Sequence, residues 1–388
     1  MRARARTSCR PRNRGAGGAA GPPGDAFDLA AGNRMDRARA RPRRRPGAPG
    51  HAWTRPVVSQ QRHRRAAHAR SAPRPRDEER RREHFAARIG DILGLSPSAV
   101  FALLAGPPQQ SLRINPLSPR PAEEIARALD ALGVVREEIP WCPGAFHLLS
   151  DKSTVANSDL FTHGHVYIQN ASSLVPPLAL EPRPEHAILD LCAAPGGKSA
   201  LIAALTGNQA YLWLNDGIKA RLAKLTEVVA RFGVRAAEIT SYPAQYADKY
   251  IARRFDRILL DAQCSGEGLI DLSHPNALRF WSLKRVEEYG LLQQRMLMAA
   301  FRLLAPGGIL VYSTCTFGPE ENEAPVDHLL RHRDNAEILP IALPVPGRRP
   351  GLAAWNRQPF DPRLREAMRI VPSRHLEGFF VCKIRKTG

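Results

Sequence analysis

Two cysteines stand where covalent chemistry is possible. Cys264 follows the apolar run FDRILLDAQ, and Cys315 closes the run GILVYST. Each run reads as a strand, so both thiols fall at strand ends over one edge of a sheet. A lone cysteine is more often a small buried hydrophobe. Two at neighbouring strand ends, each flanked by Ser, Thr or Gly, are harder to explain by packing. The chemistry such a pair suits is attack on a pyrimidine. Carbon 5 of cytosine cannot attack a sulfonium methyl group unaided, but a thiolate adding to carbon 6 makes the ring enamine-like and able to do so. The carbon 5 proton must then leave and the thiolate be expelled, which calls for a second group nearby. Asp261, three residues before Cys264, could hydrogen-bond the ring nitrogen and amino edge where charge develops.

A donor of that methyl group has a candidate seat. The strand HAILD runs into Cys192, Ala193, Ala194, Pro195, Gly196, Gly197 and Lys198. The two glycines let the backbone approach a ligand as the next helix begins. This is not the phosphate loop G-x-x-x-x-G-K-S/T, because its first Gly is missing. The next strand ends in Asn215-Asp216. An acid there can accept both ribose hydroxyls of an adenosyl group, or it can cap the helix that follows. The Gly-rich turn and the acidic strand end, in that order, favour a nucleoside cofactor.

The elements that must position these residues alternate regularly. HAILDLCA, QAYLWLND, AAEITSY, FDRILLDA and GILVYSTCT read as strands, separated by helical stretches such as GGKSALIAALTG and IKARLAKLTEVVARFG. Runs such as RILLD and ILVYS are apolar on both faces, as strands buried between two helical layers are. The expected fold is α/β: a doubly wound, mostly parallel Rossmann-like sheet over residues 156–388, with RIVPSRH and GFFVCKIRK as a closing antiparallel pair. Residues 77–155, with helical spacing at Phe85, Ile89, Ile92 and Leu93 and a strand at SLRINPL, predict a small α/β module.

Charge is unevenly placed. Twenty arginines and three acids give residues 1–76 a net +17 of the chain's +20, leaving +3 for residues 77–388. The Arg/Ala/Pro/Gly-rich segment 1–76 lacks the apolar residues to offset chain entropy and is expected to be disordered. It is read as a passive tail, with a phosphate-gripping arm or a targeting peptide as the other readings. No apolar run reaches the length of a membrane span, and the start does not resemble a secretory leader. Six scattered cysteines without metal spacing fit a reducing compartment, and the cytoplasm is expected.

DLCAAPGGKS, LNDGIKARLAKL, FDRILLDAQCSGEG and LAPGGILVYSTCTFGPEENE resemble, in order, the signature segments of RsmB/RsmF-like (Sun family) RNA cytosine-5 methyltransferases. RIVPSRHLEGFFVCKIRK resembles that family's closing segment, and SLRINPL and HVYIQNASSLVP its upstream elements. The likeness covers roughly residues 80–388. It implies transfer of a methyl group from S-adenosyl-L-methionine to cytosine carbon 5 in rRNA or tRNA. By position it makes Cys315 the nucleophile and Cys264 the group that assists release. Residues 192–198 would hold the cofactor, Asp216 its ribose, and Asp261 would lie beside both cofactor and base. Cys192 is read as packing. A monomer without obligate protein partner is expected, and residues 77–155 would present the RNA.

Three departures stand out: Gln263 replaces the family's Pro, Pro243 replaces an acid that contacts adenine, and Val228 replaces an Asn. The first two favour the main alternative, a non-catalytic RNA-binding or ribosome-assembly factor that kept the fold. A DNA cytosine methyltransferase is disfavoured, since its nucleophile would follow a Pro in the fourth-strand motif. Glu320, Glu321 and Glu323 are read as a helix start meeting the macrodipole, with no metal. Trp281 is read as either a base-stacking or a buried aromatic, and Arg113 as a surface residue or a phosphate contact.

Overall fold

The computed structural model of the protein describes residues 75–388, so the arginine-rich segment 1–76 lies almost wholly outside the described residues. The chain opens with α1 (Pro75–Leu93) and α2 (Pro97–Leu103), followed by β1 (Ser111–Ile114), α3 (Ala122–Ala131), β2 (Arg136–Glu138) and β3 (Ala145–Leu148). Two short helices, α4 (Lys152–Ala156) and α5 (Asp159–Thr162), lead to β4 (Val166–Gln169). Pro97 in the first turn of α2 and Ser96, whose hydroxyl accepts from Ala99 N at 3.2 Å, start that helix as the sequence signals.

The four strands form an antiparallel sheet in the order β2-β3-β1-β4. Helix α3 closes one face, burying Ile125 and Leu129 against Leu112, Ile114 and Val166. Two details differ from the sequence reading. The sheet runs past residue 155, because β4 pairs with β1 over its whole length. And α1 and α2 pack elsewhere: Phe85, Ile89, Val100 and Leu104 close on Leu272, Leu278, Trp281 and Phe317 of the larger sheet's loops. Helical spacing shows which face is buried but not what buries it.

The second half carries α6 (Val175–Ala179), β5 (Ala187–Asp190), α7 (Gly197–Leu205), β6 (Tyr211–Asn215), α8 (Lys219–Arg231), β7 (Glu238–Thr240), α9 (Ala247–Tyr250) and β8 (Phe255–Asp261). After it come α10 (Leu283–Leu303), β9 (Leu304–Thr314), α11 (Glu323–His332), β10 (Ala336–Leu339), β11 (Arg348–Pro350), the pair β12 (Ala354–Trp355) and β13 (Gln358–Pro359), β14 (Met368–Ile370) and β15 (Phe379–Lys386). Strand order is β11-β14-β15-β9-β8-β5-β6-β7, with β10 also on β15. The pairs from β7 through β9 are parallel and those of β15 antiparallel, the expected Rossmann-like sheet with its closing pair.

The strands alternate between two cores as a period of two requires. Ile188, Leu259, Val311 and Val381 share one face. Leu189, Leu260, Leu310 and Phe380 share the other. Chain order reverses at β5, between β6 and β8, and ligands bind beyond the carboxyl ends of strands at such a point. Among the described residues no single helix is long and apolar enough to cross a membrane.

Candidate active site

Both thiols meet at that edge. Asp261 and Ser313 are register partners at the ends of β8 and β9. The chains leaving them carry Cys264 and Cys315, whose Sγ atoms lie 3.2 Å apart, both half-buried. The Cys264 thiol is held well above its ordinary range, first by its hydrogen bond to Cys315 and then by burial.

Beneath the thiols lies an ion pair. Lys198 Nζ, on the first turn of α7, is 2.7 Å from Asp261 Oδ2. Asp261 Oδ1 accepts from Ser313 Oγ at 2.7 Å. Burial pushes the Lys198 ammonium down, but the Asp261 carboxylate outweighs it and Cys315 adds to the effect, so its pKa is raised. The ammonium also lies 5.6 Å from the Phe379 ring centre, which ties β15 to the site.

The Gly-rich turn between β5 and α7 lines a cleft of about 210 Å³ together with Tyr167, Gln169 and Ser173. Gly196 has φ +115°, and a Cβ on it would meet Val228 Cγ1 at 2.7 Å. A Cβ on Gly197 would meet Tyr167 Oη at 2.8 Å. At the end of β5, before the turn, the fully buried Asp190 is pushed by burial up to about 7, although Ser199 Oγ donates to its Oδ2 at 2.6 Å. Its Oδ1 is buried without a donor. Cys192 is buried, and its thiol lies well above the ordinary value because of that burial. Asp216 is fully buried. Its Oδ1 accepts from Ile218 N at 3.0 Å, its Oδ2 from Ala194 N at 3.1 Å, and Arg221 Nη1 stands 3.2 Å from Oδ2. The carboxylate thus braces both the start of α8 and the Gly-rich turn.

A second groove, about 360 Å³, runs beside the thiols between Gly106–Gln109, Gly268–Asp271 and Pro372–Glu377. Gly268 N donates to Cys315 O at 3.0 Å, which joins the groove to the backbone of Cys315. Burial pushes Glu377, on its wall, up to about 7.

The sequence reading missed Tyr167, Gln169, Ser173 and Asp190, whose only signals were position within YIQNASS and at a strand end. One reading is corrected and two are narrowed. Glu320, Glu321 and Glu323 lead into α11, with Glu323 in its first turn as expected, and each carboxylate is also held by another segment. Glu320 bonds Arg88 at 2.6 Å and Trp355 at 2.9 Å, Glu321 bonds Ser265 and Gln293, and Glu323 bonds Arg369. Arg113 is not a surface residue: it is 2% exposed within β1. Trp281 is packed, edge-on to Phe85 at 5.0 Å with Nε1 donating to Glu267 at 2.9 Å.

A parallel sheet with a Gly-rich first turn, an acid at the second strand end and a crevice at the switch point defines a Rossmann-like methyltransferase. The family described as 16S rRNA methyltransferase RsmB/F matches residues 177–385, and the N-terminal domain of 16S rRNA methyltransferase RsmF matches residues 82–171, ending within two residues of β4. The chain belongs to the RsmB/F family of RNA cytosine-5 methyltransferases. It is 36% identical over 288 residues to tRNA (cytosine(49)-C(5))-methyltransferase of Pyrococcus abyssi, across 74% of this chain and 91% of that one. It is 35% identical over 319 residues to Ribosomal RNA small subunit methyltransferase F of Aeromonas hydrophila, across 78% of this chain but only 64% of that longer relative. The crystal structure of a methyltransferase homolog protein from Pyrococcus horikoshii superposes with a TM-score of 0.68 at 30% identity, covering 81% of this chain and 99% of the other.

Proposed function

We propose that the protein transfers a methyl group from S-adenosylmethionine to carbon 5 of a cytosine in rRNA or tRNA, with Cys315 bonded to carbon 6 during the transfer. The observation that carries this reading is the pair of thiols 3.2 Å apart at the strand ends, above the Lys198–Asp261 pair. The cofactor supplies an electrophilic methyl group on a sulfonium. The residues present fit it: the Gly197 cradle against Tyr167 has no room for a side chain, and the turn lines the cleft with main chain and small residues. Residues 192–198 would hold its amino-acid part, and Asp216 its ribose on the lone pairs left by its protein donors.

Cys315 is the nucleophile in this reading by its place directly after β9, with the Lys198 ammonium within electrostatic reach of it. Cys264, held high, remains a thiol at neutral pH and has a proton to give. Attack by Cys315 at carbon 6 pushes charge toward the ring nitrogen and carbonyl. Lys198 and Asp261 offer a donor and an acceptor for that edge, fixed before the reaction starts. After transfer the carbon 6–sulfur bond breaks as Cys264 gives its proton to the departing Cys315 sulfur, and the Cys264 thiolate so formed takes the carbon 5 proton, which restores both thiols. The groove beside Gly268 is the approach for the strand bearing the base.

Gln263 does not undo the arrangement. Its main-chain carbonyl accepts from the buried Gln293 Nε2 at 2.7 Å, which holds the loop where the family uses a Pro. The test is incubation of the protein with methyl-labelled cofactor and bulk RNA, followed by nucleoside analysis. Label in 5-methylcytidine, lost in Cys315→Ala, is the expected result. RNA and cofactor binding without transfer would favour the assembly-factor reading instead.

A further inference from the structure

The two loops that carry the thiols are fastened to each other crosswise. The Cys264 loop contributes Ser265 and Glu267; the Cys315 loop contributes Thr316 and Glu321. Each carboxylate bonds the residue that follows the other loop's thiol. Ser265 N donates to Glu321 Oε2 at 2.9 Å, and its hydroxyl contacts Glu321 Oε1. Thr316 Oγ1 contacts Glu267 Oε2 at 2.8 Å. In the middle the two hydroxyls lie 2.8 Å apart. Glu267, Thr316 and Glu321 are buried to within 1%.

Counting protons along this row identifies the state it must be in. Glu321 Oε1, Ser265 Oγ, Thr316 Oγ1 and Glu267 Oε2 make three successive contacts, yet the two hydroxyls supply only two protons. A third must sit on one of the terminal carboxyls. Glu267 already accepts N–H donors on both oxygens, from Phe317 N at 3.2 Å, Gly318 N at 2.7 Å and Trp281 Nε1 at 2.9 Å, with Arg88 3.9 Å away. Glu321 Oε1 meets only hydroxyls, while its Oε2 takes Ser265 N and, at 3.0 Å, Gln293 Nε2. Burial, with the Glu267 charge adding to it, pushes Glu321 up to about 7. The groups facing it are Glu267 and Cys264 from one loop, Gln293 from α10 and Tyr312 from β9.

We propose that Glu321 and Glu267 are positioning residues: a crossed clamp, closed by one proton on Glu321, that sets the spacing of Cys264 and Cys315. It acts on the thiols through Ser265 and Thr316 and touches neither substrate. The proposal rests on the two-thiol reading above, so its test does not use turnover alone. The readout is the equilibrium between the Cys264/Cys315 dithiol and its disulfide in a buffer of reduced and oxidised dithiothreitol. There two electrons and two protons pass to the reagent as the sulfur–sulfur bond forms, and peptide mass spectrometry reports the linked pair.

Glu321→Gln keeps an acceptor for Ser265 N and places an amide donor where the proton sits, so its equilibrium should stay within about twofold of the parent. Glu321→Ala and Thr316→Val each break the row and should lower disulfide formation about tenfold, the equivalent of ~1.4 kcal/mol. Thr316→Val is nearly isosteric and guards against a folding failure, and cofactor binding by calorimetry should be the same in all four proteins. Equal disulfide equilibria in all four would overturn the clamp while leaving the methyl-transfer reading intact. A normal clamp response in a protein that transfers no methyl group would do the reverse.

Discussion

Replacing Gly197 by Ala tests whether the cleft at the Gly-rich turn is the cofactor's seat. The new Cβ would stand 2.8 Å from Tyr167 Oη, 2.9 Å from Cζ and 3.0 Å from Cε1. Carbon contacts ordinarily settle at about 3.5–4.0 Å, so the ring must move by more than half an ångström. Behind it Phe232 packs at 4.7 Å between ring centres, which leaves the cleft as the direction of relief. The ligand-free protein can relax by swinging Tyr167 into the cleft; bound cofactor must push it back. Overpacking of this kind costs roughly 1–3 kcal/mol, so cofactor affinity should fall about 5- to 150-fold. Calorimetric titration at fixed temperature reads it, with circular dichroism confirming an intact fold. Tyr167→Ala in the same chain removes the obstacle and should recover much of the loss. Unchanged affinity in a folded Gly197→Ala protein would refute the reasoning. Gly196 is a poorer probe, because its φ of +115° strains any side chain whatever it meets.

Other expectations follow from the same geometry. Asp190, Glu321 and Glu377 are each raised to about 7 by burial. The native state therefore binds more protons than the unfolded chain between roughly pH 4 and 7, and stability should fall as pH rises through that window. Urea unfolding at pH 5.5 and 8 measures this, and Asp190→Asn should flatten the dependence; an unaltered dependence would contradict burial as the cause. Arg369 binds Glu323 through two nitrogens and Phe317 O at 2.9 Å, with both side chains buried. Arg369→Met should cost about 3–5 kcal/mol, and much less when Glu323→Gln is added, as a double-mutant cycle would show.

The parallel strands were legible because each is an apolar run that ends in turn residues, as with RILL before Asp261 and ILVYS shortly before Cys315. Residues at strand ends inherit a common edge from that topology, which is why the thiols, Asp261 and the Gly-rich turn could be brought together without coordinates. What the sequence could not carry was partnership across long separations. The stripe of Phe85 and Ile89 announces a buried face, but nothing in it names Trp281 and Phe317 as the other side. Glu321 and Glu323 look like ordinary helix-start acids until Ser265 and Arg369, from distant segments, are seen to hold them. Asp216 shows the middle case: its bond to Ile218 N is local and precedes the helix rather than capping it, whereas its hold on Ala194 depends on how β5 and β6 pair.

The central claim is that Cys315 bonds the base and Cys264 helps to release it. The most direct measurement is incubation of Cys264→Ala with RNA and S-adenosylmethionine, followed by a denaturing gel and mass spectrometry of the protein–nucleotide peptide. A denaturation-resistant species joined through Cys315, absent when Cys315→Ala is added, is predicted. Normal product release by Cys264→Ala with no such species, or a linkage through a different cysteine, would contradict it.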